Sequence, residues 1–172
     1  YKNEKKGVIK KNIPVGTWRY WDENGKLFKE RIFEHEKPVM EKLYTGGIQT
    51  GKKIYKYKGE ALAKIEEYSD SLLIKEKIYN EAGKLFNVIS YTNGNLTQEL
   101  IYKYQYGKLK KIETYNEDIL TKESIYNDGV LSEKKLYDNG KLTRELIYTY
   151  SGLFREKIYE NDLLIKEKGA FD

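Results

Sequence analysis

The hydrophobic and polar positions of this chain repeat with a period of eleven residues. Three consecutive blocks read LTKESIYNDGV (120–130), LSEKKLYDNGK (131–141) and LTRELIYTYSG (142–152). Each block begins with Leu, reaches Tyr six residues later and then enters a short run rich in Asn, Asp, Ser or Gly. A period of this kind indicates one structural unit that is repeated along the chain.

The repeated unit is predicted to be a β-strand followed by a turn. The segments between the turns are six to eight residues long and rich in Tyr, Ile, Leu and Thr, which is typical of strands. A helix is disfavoured, because Asn, Asp and Gly recur in every block and would end each helix early. The predicted fold class is all-β: an elongated antiparallel β-meander of stacked hairpins, largely single-layered, because neither strand face is uniformly apolar.

The turn residues predict the pairing of neighbouring strands. Asn, Asp and Gly tolerate the positive φ of type I′ turns, which are therefore predicted at Asn139-Gly140, Asp128-Gly129, Asn93-Gly94 and Asn24-Gly25. Uninterrupted pairing outward from such turns gives the pairs Asp138–Lys141, Tyr137–Leu142, Lys135–Arg144, Leu131–Tyr148 and Glu145–Glu156. Leu would thus face Tyr of the next strand, a stabilising cross-strand contact.

Composition excludes several kinds of chemistry. The 172 residues include no Cys and one His, so disulfides, thiolate metal sites and paired-histidine sites are excluded. His35 lies between Glu34 and Glu36 and is interpreted as a loop residue. The net charge of +5 comes from 32 basic and 27 acidic side chains whose signs are interleaved, which disfavours a nucleic-acid groove. No catalytic residue, cofactor or metal site is predicted, and no apolar run is long enough to span a membrane.

Residues 16–27, GTWRYWDENGKL, follow the pattern Gly-x-Trp-x-Tyr-aromatic-x-x-Asn-Gly-x-Leu. This pattern resembles the MORN repeat in its bacterial variant form, which includes YwqK-type antitoxin-like proteins. The best match covers 12–33, YDNGKL (137–142) and YTNGNL (91–96) are looser copies, and regular eleven-residue repeats cover 62–172. The resemblance implies one repeat array over 1–172, built of stacked hairpins. It also implies non-enzymatic roles: protein scaffolding, lipid contact or antitoxin activity.

Aromatic residues supply the candidate partner-binding site. Trp18, Tyr20 and Trp21 form the densest aromatic group, and in a strand Trp18 and Tyr20 share one face while Trp21 lies on the other. The alternative interpretation is that they cap the N-terminal end of the array, and that the other tyrosines merely cover Leu. The complete set of candidate partner-binding residues is Trp18, Tyr20, Trp21, Tyr104, Tyr106, Tyr126 and Tyr148.

Charged residues also recur with the period. The carboxylates at three residues after Leu are Glu30, Glu76, Glu99, Glu123, Glu145, Glu156 and Glu167. They are interpreted as a solvated row, because acid–base catalysis needs carboxylates in separate environments within a pocket. The cations predicted beside the tyrosines are Lys122, Lys135, Arg144, Arg155, Lys157, Lys166 and Lys168. They could bind an acidic protein, an anionic lipid or nucleic acid, or they could serve solubility and protect a sheet edge.

These observations predict a non-enzymatic binding or scaffold module that recognises a protein partner over an extended repeat surface. Two alternatives stay open: a secreted or surface module that binds glycan through its aromatic ladder, and an antitoxin-like protein that neutralises a toxin. Contact with anionic lipid is a weaker alternative, and nucleic acid is disfavoured. The chain begins with Tyr1 rather than Met. We therefore expect that a leading segment was removed; a signal peptide would favour a secreted, surface or periplasmic protein, and its absence a cytoplasmic one.

Overall fold

The computed structural model describes residues 4–10 and 13–169, with side chains from residue 14 onward. These residues form fifteen strands and no helix. The strands are β1 (Glu4–Lys10), β2 (Ile13–Trp21), β3 (Leu27–Glu34), β4 (Lys37–Thr45), β5 (Ile48–Lys58), β6 (Ala61–Ser69), β7 (Leu72–Tyr79), β8 (Leu85–Thr92), β9 (Asn95–Gln105), β10 (Lys108–Asn116), β11 (Ile119–Asn127), β12 (Val130–Asp138), β13 (Lys141–Thr149), β14 (Gly152–Glu160) and β15 (Leu163–Gly169).

The strands form an open meander. They lie in the sheet in the order of the sequence, from β1 to β15, and neighbouring strands run antiparallel. The predicted all-β antiparallel fold is therefore confirmed. The chain divides into two compact units, residues 1–85 with 91–95 and residues 86–90 with 96–172.

Most of the predicted type I′ turns are confirmed by their backbone angles. The φ angles are 47° and 78° at Asn139-Gly140, 48° and 84° at Asp128-Gly129, and 53° and 82° at Asn93-Gly94. The prediction at Asn24-Gly25 is wrong, since only the glycine has positive φ. There the Asp22 carboxylate accepts hydrogen bonds from the backbone N–H groups of Asn24 (2.9 Å) and Lys26 (2.8 Å), which widens the loop.

A β-bulge shortly after the turn changes the pairing in most of the hairpins. In the β12–β13 hairpin, Asp138 pairs with Lys141 and Tyr137 with Leu142, as predicted, but Leu136 then pairs with Arg144. Thr143 is therefore an extra residue on β13. The same one-residue shift recurs in the hairpins from β2–β3 to β6–β7 and from β9–β10 to β14–β15. The extra residue follows a Leu except in β3–β4 and β4–β5, where Val39 follows Pro38 and Thr50 follows Gln49.

The bulge overturns the pairs that were predicted further from the turn. Lys135 faces Glu145 rather than Arg144, and Glu145 faces Lys157 rather than Glu156. Leu131 pairs with Tyr126 on the preceding strand rather than with Tyr148. The physical reason is that one extra residue exchanges like-charged neighbours for oppositely charged ones, which stabilises an antiparallel pair.

Hydroxyl groups hold several bulges in place. Thr121, Ser132 and Thr143 each occupy the extra position and donate a hydrogen bond to a main-chain carbonyl of the preceding strand. The donor–acceptor distances are 3.2 Å to Thr114, 3.1 Å to Ile125 and 3.1 Å to Leu136, respectively. The Thr or Ser that follows Leu in these repeats therefore has a structural role, because its side chain partners a carbonyl beside the disrupted ladder.

We expect the substitution Thr143→Val to destabilise the protein by about 1 kcal/mol, because the Leu136 carbonyl loses its hydroxyl partner while the β-branched shape is kept. Urea denaturation would measure the change. Thr92→Val is the matched control, since Thr92 is exposed at a strand end. Equal unfolding free energies for the two variants would contradict the role given to the bulge hydroxyl.

The interior of the sheet is polar rather than apolar. Among the described side chains, Val88 is the one buried hydrophobic residue. The buried polar and charged residues are Glu30, Glu41, Glu66, Glu76, Asn87, Glu113, Thr114 and Ser124. A single-layered sheet has no second layer against which to pack an apolar face, so its most protected positions lie in the middle of the strands and hold charged networks.

Candidate partner-binding surface

The pairing register separates the side chains of the second unit onto two faces, because paired residues in an antiparallel sheet lie on the same face. One row crosses β10 to β15 as Glu113, Glu123, Lys135, Glu145, Lys157 and Glu167. We call the face that carries this row the carboxylate face. The carboxylates of this row contact cations on the same face.

Glu113 and Glu123 are directly opposed, and Lys111 neutralises both. The Lys111 Nζ lies 2.7 Å from Oε1 of Glu113 and 2.7 Å from Oε1 of Glu123. Lys103 adds a second cation, with its Nζ 2.6 Å from Glu113. Burial acts to raise the pKa of Glu113, but the hydrogen bonds from Lys103 and Lys111 outweigh burial and hold the pKa below its usual 4.5.

Tyrosine hydroxyls occupy the other oxygens of these carboxylates. Tyr137 donates to Oε2 of Glu123 at 2.6 Å, and Tyr159 donates to Oε2 of Glu145 at 2.7 Å. The hydrogen bond to Glu145, helped by burial, raises the pKa of Tyr159 to about 12. These tyrosines are therefore held by the carboxylate face and have a structural role.

The first unit repeats the arrangement. Glu66 and Glu76 are directly opposed, and the Nζ of Lys64 lies 3.7 Å and 2.6 Å from them, respectively. Tyr68 and Tyr91 donate to these two carboxylates at 3.1 Å and 2.7 Å. The interpretation of the Glu row as solvated is therefore wrong for its buried members, Glu30 and Glu76, because neighbouring strands supply Arg, Lys and Tyr donors that replace water.

The opposite face of the second unit carries tyrosines that lie at one edge. The pairs Tyr104–Leu109, Tyr126–Leu131 and Tyr148–Leu153 each lie next to a turn. The three turns, β9–β10, β11–β12 and β13–β14, point to the same side of the sheet and are two strands apart, which is about 10 Å. We call this side the tyrosine edge. It brings together the predicted residues Tyr104, Tyr106, Tyr126 and Tyr148.

Tyr106 and a further tyrosine, Tyr150, lie at the tips of two of these turns. The exposed fraction is 96% for Tyr106 and 97% for Tyr150. Tyr106 has a φ of 48°, in a turn position where the other hairpins often place Asn, Asp or Gly. A bulky side chain in the left-handed region costs about 1 kcal/mol. Because the Tyr106 side chain is exposed, no packing contact offsets this cost.

Shallow open grooves lie between the tips. One groove, of about 250 Å³, runs from Tyr106 past Tyr126 to Asp128. Another, of about 120 Å³, is lined by Asn127, Val130, Leu131, Ser132, Tyr148, Thr149 and Tyr150. The Nζ of Lys108, at the start of β10, lies 2.7 Å from the carboxylate of Asp128 in the middle turn. The grooves are open to solvent and of a size that fits individual side chains.

The predicted residues Trp18, Tyr20 and Trp21 lie in the first unit, away from the tyrosine edge in the sequence. Trp18 packs edge-on against Phe33, with ring centroids 6.3 Å apart, and Lys29 lies 4.5 Å from the centroid of Tyr20. Trp21 pairs with Leu27 beside the loop. The alternative that these residues cap the end of the array is wrong, because β1 pairs with β2.

Sequence reasoning missed Tyr150 and Val130, which are exposed by 97% and 46%. Tyr150 could have been found, because it occupies a turn where the preceding blocks have Asp128-Gly129 and Asn139-Gly140. An aromatic residue at a turn tip cannot be explained by the strand period. Val130 begins an ordinary strand, and its exposure follows only from the position of the turn.

No cluster of three or more His, Asp or Glu residues with the geometry of a metal site occurs among residues 14–169. His35 has a φ of 44° and lies in the β3–β4 turn, as predicted for a loop residue. In the described ranges, no helix is long and apolar enough to cross a membrane.

A protein-family model with the description "Uncharacterised protein" matches residues 9–169. No curated protein matches the chain. Among solved structures, one of S. aureus TarM in complex with Fondaparinux, alpha-GlcNAc-glycerol and UDP is 11% identical, covers 54% of this chain and 19% of its own, and has a TM-score of 0.39. A second TarM structure is 12% identical, with coverages of 68% and 21% and a TM-score of 0.40.

The Gap123 complex from Streptococcus agalactiae is 12% identical over 62% of this chain and 18% of its own, with a TM-score of 0.26. The chain thus spans about a fifth of the length of these structures. All three TM-scores lie below 0.5, so no property of those proteins is transferred to this chain.

Proposed function

The chain belongs to this uncharacterised family, and we propose that it is a non-enzymatic binding module that recognises a protein partner through the tyrosine edge of its second unit. The observation that carries the proposal is the pair of fully exposed tyrosines at turn tips on one edge, Tyr106 and Tyr150. Neither the strand period nor packing accounts for these two side chains. The MORN resemblance of residues 16–27 agrees with a non-enzymatic role.

The chemistry of the edge suits a protein partner. Tyrosine offers a large contact area at low conformational cost and is enriched at protein interfaces, where Ser, Gly and Asn supply adaptable hydrogen bonds. The three turns contain this mixture: Tyr106-Gly107, Asn127 to Gly129, and Tyr150 to Gly152. The outer tips are four strands apart, about 19 Å, so one partner surface can contact both.

Selection from a displayed library of random peptides and protein fragments would test the proposal. The wild-type chain is the bait, and each selected binder is then measured against a double variant, Tyr106→Asn with Tyr150→Ser. We expect the double variant to lose at least tenfold in affinity, because truncation of an aromatic anchor costs about 2 kcal/mol. The matched control is Tyr137→Phe, which changes a tyrosine on the carboxylate face.

Two outcomes would contradict the proposal. One is a selection that yields no binder to the wild-type chain. The other is a set of binders whose affinity is unchanged in the double variant. Glycan arrays probed with the same proteins separate the alternative, since sugar binding that is lost with Tyr126→Ala would assign the edge to a glycan.

Tyr106→Asn should also stabilise the folded chain by about 1 kcal/mol, because Asn tolerates positive φ and Tyr106 makes no buried contact. Thermal or urea unfolding of the single variant would measure the gain. Asn139→Tyr, the reverse change at an equivalent turn position, should lower the unfolding free energy by a similar amount. A Tyr106→Asn variant of lower stability would show that the ring has a structural role.

A further inference from the structure

The face of the second unit that carries Tyr104, Tyr126 and Tyr148 is strongly cationic. The strand register places Lys122, Lys134, Arg144, Lys166 and Lys168 on this face of β11 to β15. Glu156 lies on the same face and contacts Arg144 at 3.3 Å and Lys168 at 4.0 Å. The other carboxylates on paired positions of this face, Asp138 and Glu160, lie at the ends of β12 and β14. We call this set of five cations the cationic face.

The cations of the two faces differ in their partners. On the carboxylate face, Lys111 and Lys157 contact glutamates, and Arg155 lies 3.0 Å from Glu167. On the cationic face, Lys122, Lys134 and Lys166 form no ion pair with any described residue. Their charge is therefore available to a ligand, and removing it leaves no buried carboxylate unpaired.

The cations alternate with aliphatic side chains. One row reads Lys122, Leu136, Arg144, Ile158 and Lys166 from β11 to β15. Successive cations of this row are two strands apart, about 10 Å. This spacing matches three residues of a peptide in the extended polyproline II conformation, in which every third side chain lies on the same side. The aliphatic positions between the cations could contact apolar side chains of a peptide, whereas a phosphate backbone offers no such groups.

The cationic face adjoins the tyrosine edge. Lys134 reaches toward the edge, and its Nζ lies 5.5 Å from the ring centroid of Tyr148. Tyr126 and Tyr148 lie on the same face as the cations, one row nearer the turns. A single partner segment can therefore run from the turn tips onto the face.

We infer that the partner is an acidic protein segment in extended conformation, with carboxylates about three residues apart and aliphatic residues between them. The inference rests on the proposed function and names the class of partner for the same surface. Carboxylates bind Lys122, Arg144 and Lys166, and the aliphatic residues contact Leu136 and Ile158. The strength of the complex falls with salt, because its ion pairs are exposed to solvent.

The probe is a fluorescent peptide of four Glu-Ser-Leu repeats, and its counterpart has Gln in place of Glu. Anisotropy is measured with the full chain at 50 and 500 mM NaCl. We expect the Glu peptide to bind the wild-type chain, and the triple variant K122Q/K134Q/K166Q to bind it about tenfold more weakly. The matched control is K26Q/K58Q/K75Q, which removes the same charge from lysines of the first unit; its affinity should stay within twofold of wild type.

Three results would overturn the inference. Equal losses in the two triple variants would show that net charge, not this face, binds the peptide. Equal binding of the Glu and Gln peptides would show that carboxylates are not recognised. Tighter binding of single-stranded DNA or of vesicles rich in phosphatidylserine than of the peptide, lost in K122Q/K134Q/K166Q, would assign the face to phosphate.

The library selection distinguishes this inference from the proposed function. Binders that depend on Tyr106 and Tyr150 but carry no excess of Asp and Glu would leave the proposed function standing and overturn the acidic partner. Selected sequences rich in Asp and Glu, weakened by K122Q/K134Q/K166Q, would support both.

Discussion

Replacement of Lys111 by methionine is expected to destabilise the protein by about 2 to 3 kcal/mol. The substitution keeps the length of the side chain but removes the cation that lies 2.7 Å from both Glu113 and Glu123. Two opposed carboxylates, one of them buried, would then repel each other across the strand pair. The loss is smaller than for a fully buried ion pair because the Lys111 side chain is 28% exposed. Urea denaturation would measure the change.

A second substitution tests the cause. Glu123→Gln in the Lys111→Met background removes the repulsion and should restore part of the lost unfolding free energy. Lys110→Met is the matched control, because the adjacent Lys110 is exposed at the bulge position, and it should stay within about 0.5 kcal/mol of wild type. A Lys111→Met variant as stable as this control would show that Lys111 does not hold the two carboxylates together.

Acidification below pH 4.5 is expected to lower stability steeply. Burial acts to raise the pKa of the glutamates in the networks, but hydrogen bonds from Lys, Arg and Tyr outweigh burial and lower it below the usual 4.5. The groups concerned are Glu30, Glu66, Glu67, Glu76, Glu113, Glu123 and Glu145. Because the unfolded chain takes up protons first, the stability from these groups is present above pH 4.5 and lost as pH falls through their folded pKa values.

Urea midpoints measured between pH 3 and 7 would check the acid limb. Glu113→Gln should make the urea midpoint fall less steeply with acidification, because this residue no longer titrates. Glu117→Gln changes an exposed turn residue and should leave the pH dependence of the midpoint unchanged. At the alkaline end, the hydrogen bond to Glu145 raises the pKa of Tyr159 to about 12. The unfolded chain therefore ionises first, and stability falls as pH rises above 10. A midpoint that does not change between pH 3 and 5 would contradict the role of the carboxylates.

Val88 is the one buried apolar residue among the described side chains, and these networks explain how such a sheet can hold its strands together. Cross-strand pairs supply the stabilisation that a second layer supplies in a sandwich. Both faces of each unit consequently remain open to solvent, and a partner can bind without displacing an apolar core. The same separation places the neutralised charges on one face of the second unit and the unpaired cations Lys122, Lys134 and Lys166 on the other.

Part of the candidate surface could be predicted from the sequence. Tyr104, Tyr106, Tyr126 and Tyr148 were identified as candidates, and the structure brings them to one edge because alternate turns of a meander lie on the same side. Trp18, Tyr20 and Trp21 belong to the motif at 16–27 in the first unit and not to this edge. Tyr150 was not predicted. The sequence did not show which of the predicted Lys and Arg residues share a face. Lys135, Arg155 and Lys157 lie on the carboxylate face, whereas Lys122 and Lys166 lie on the opposite face.

The sequence by itself determined the strand class, the meander and most of the turns, because local residues decide them: Asn139-Gly140 specifies its turn, and Tyr137–Leu142 follows from it. Only the tertiary structure decided what lies further from the turn. The bulge at Thr143 depends on a carbonyl of the neighbouring strand, and it places Glu145 opposite Lys157 instead of Glu156. One extra residue in a strand changes every later pair and the face on which each charge lies. The eleven-residue period does not show where this extra residue falls.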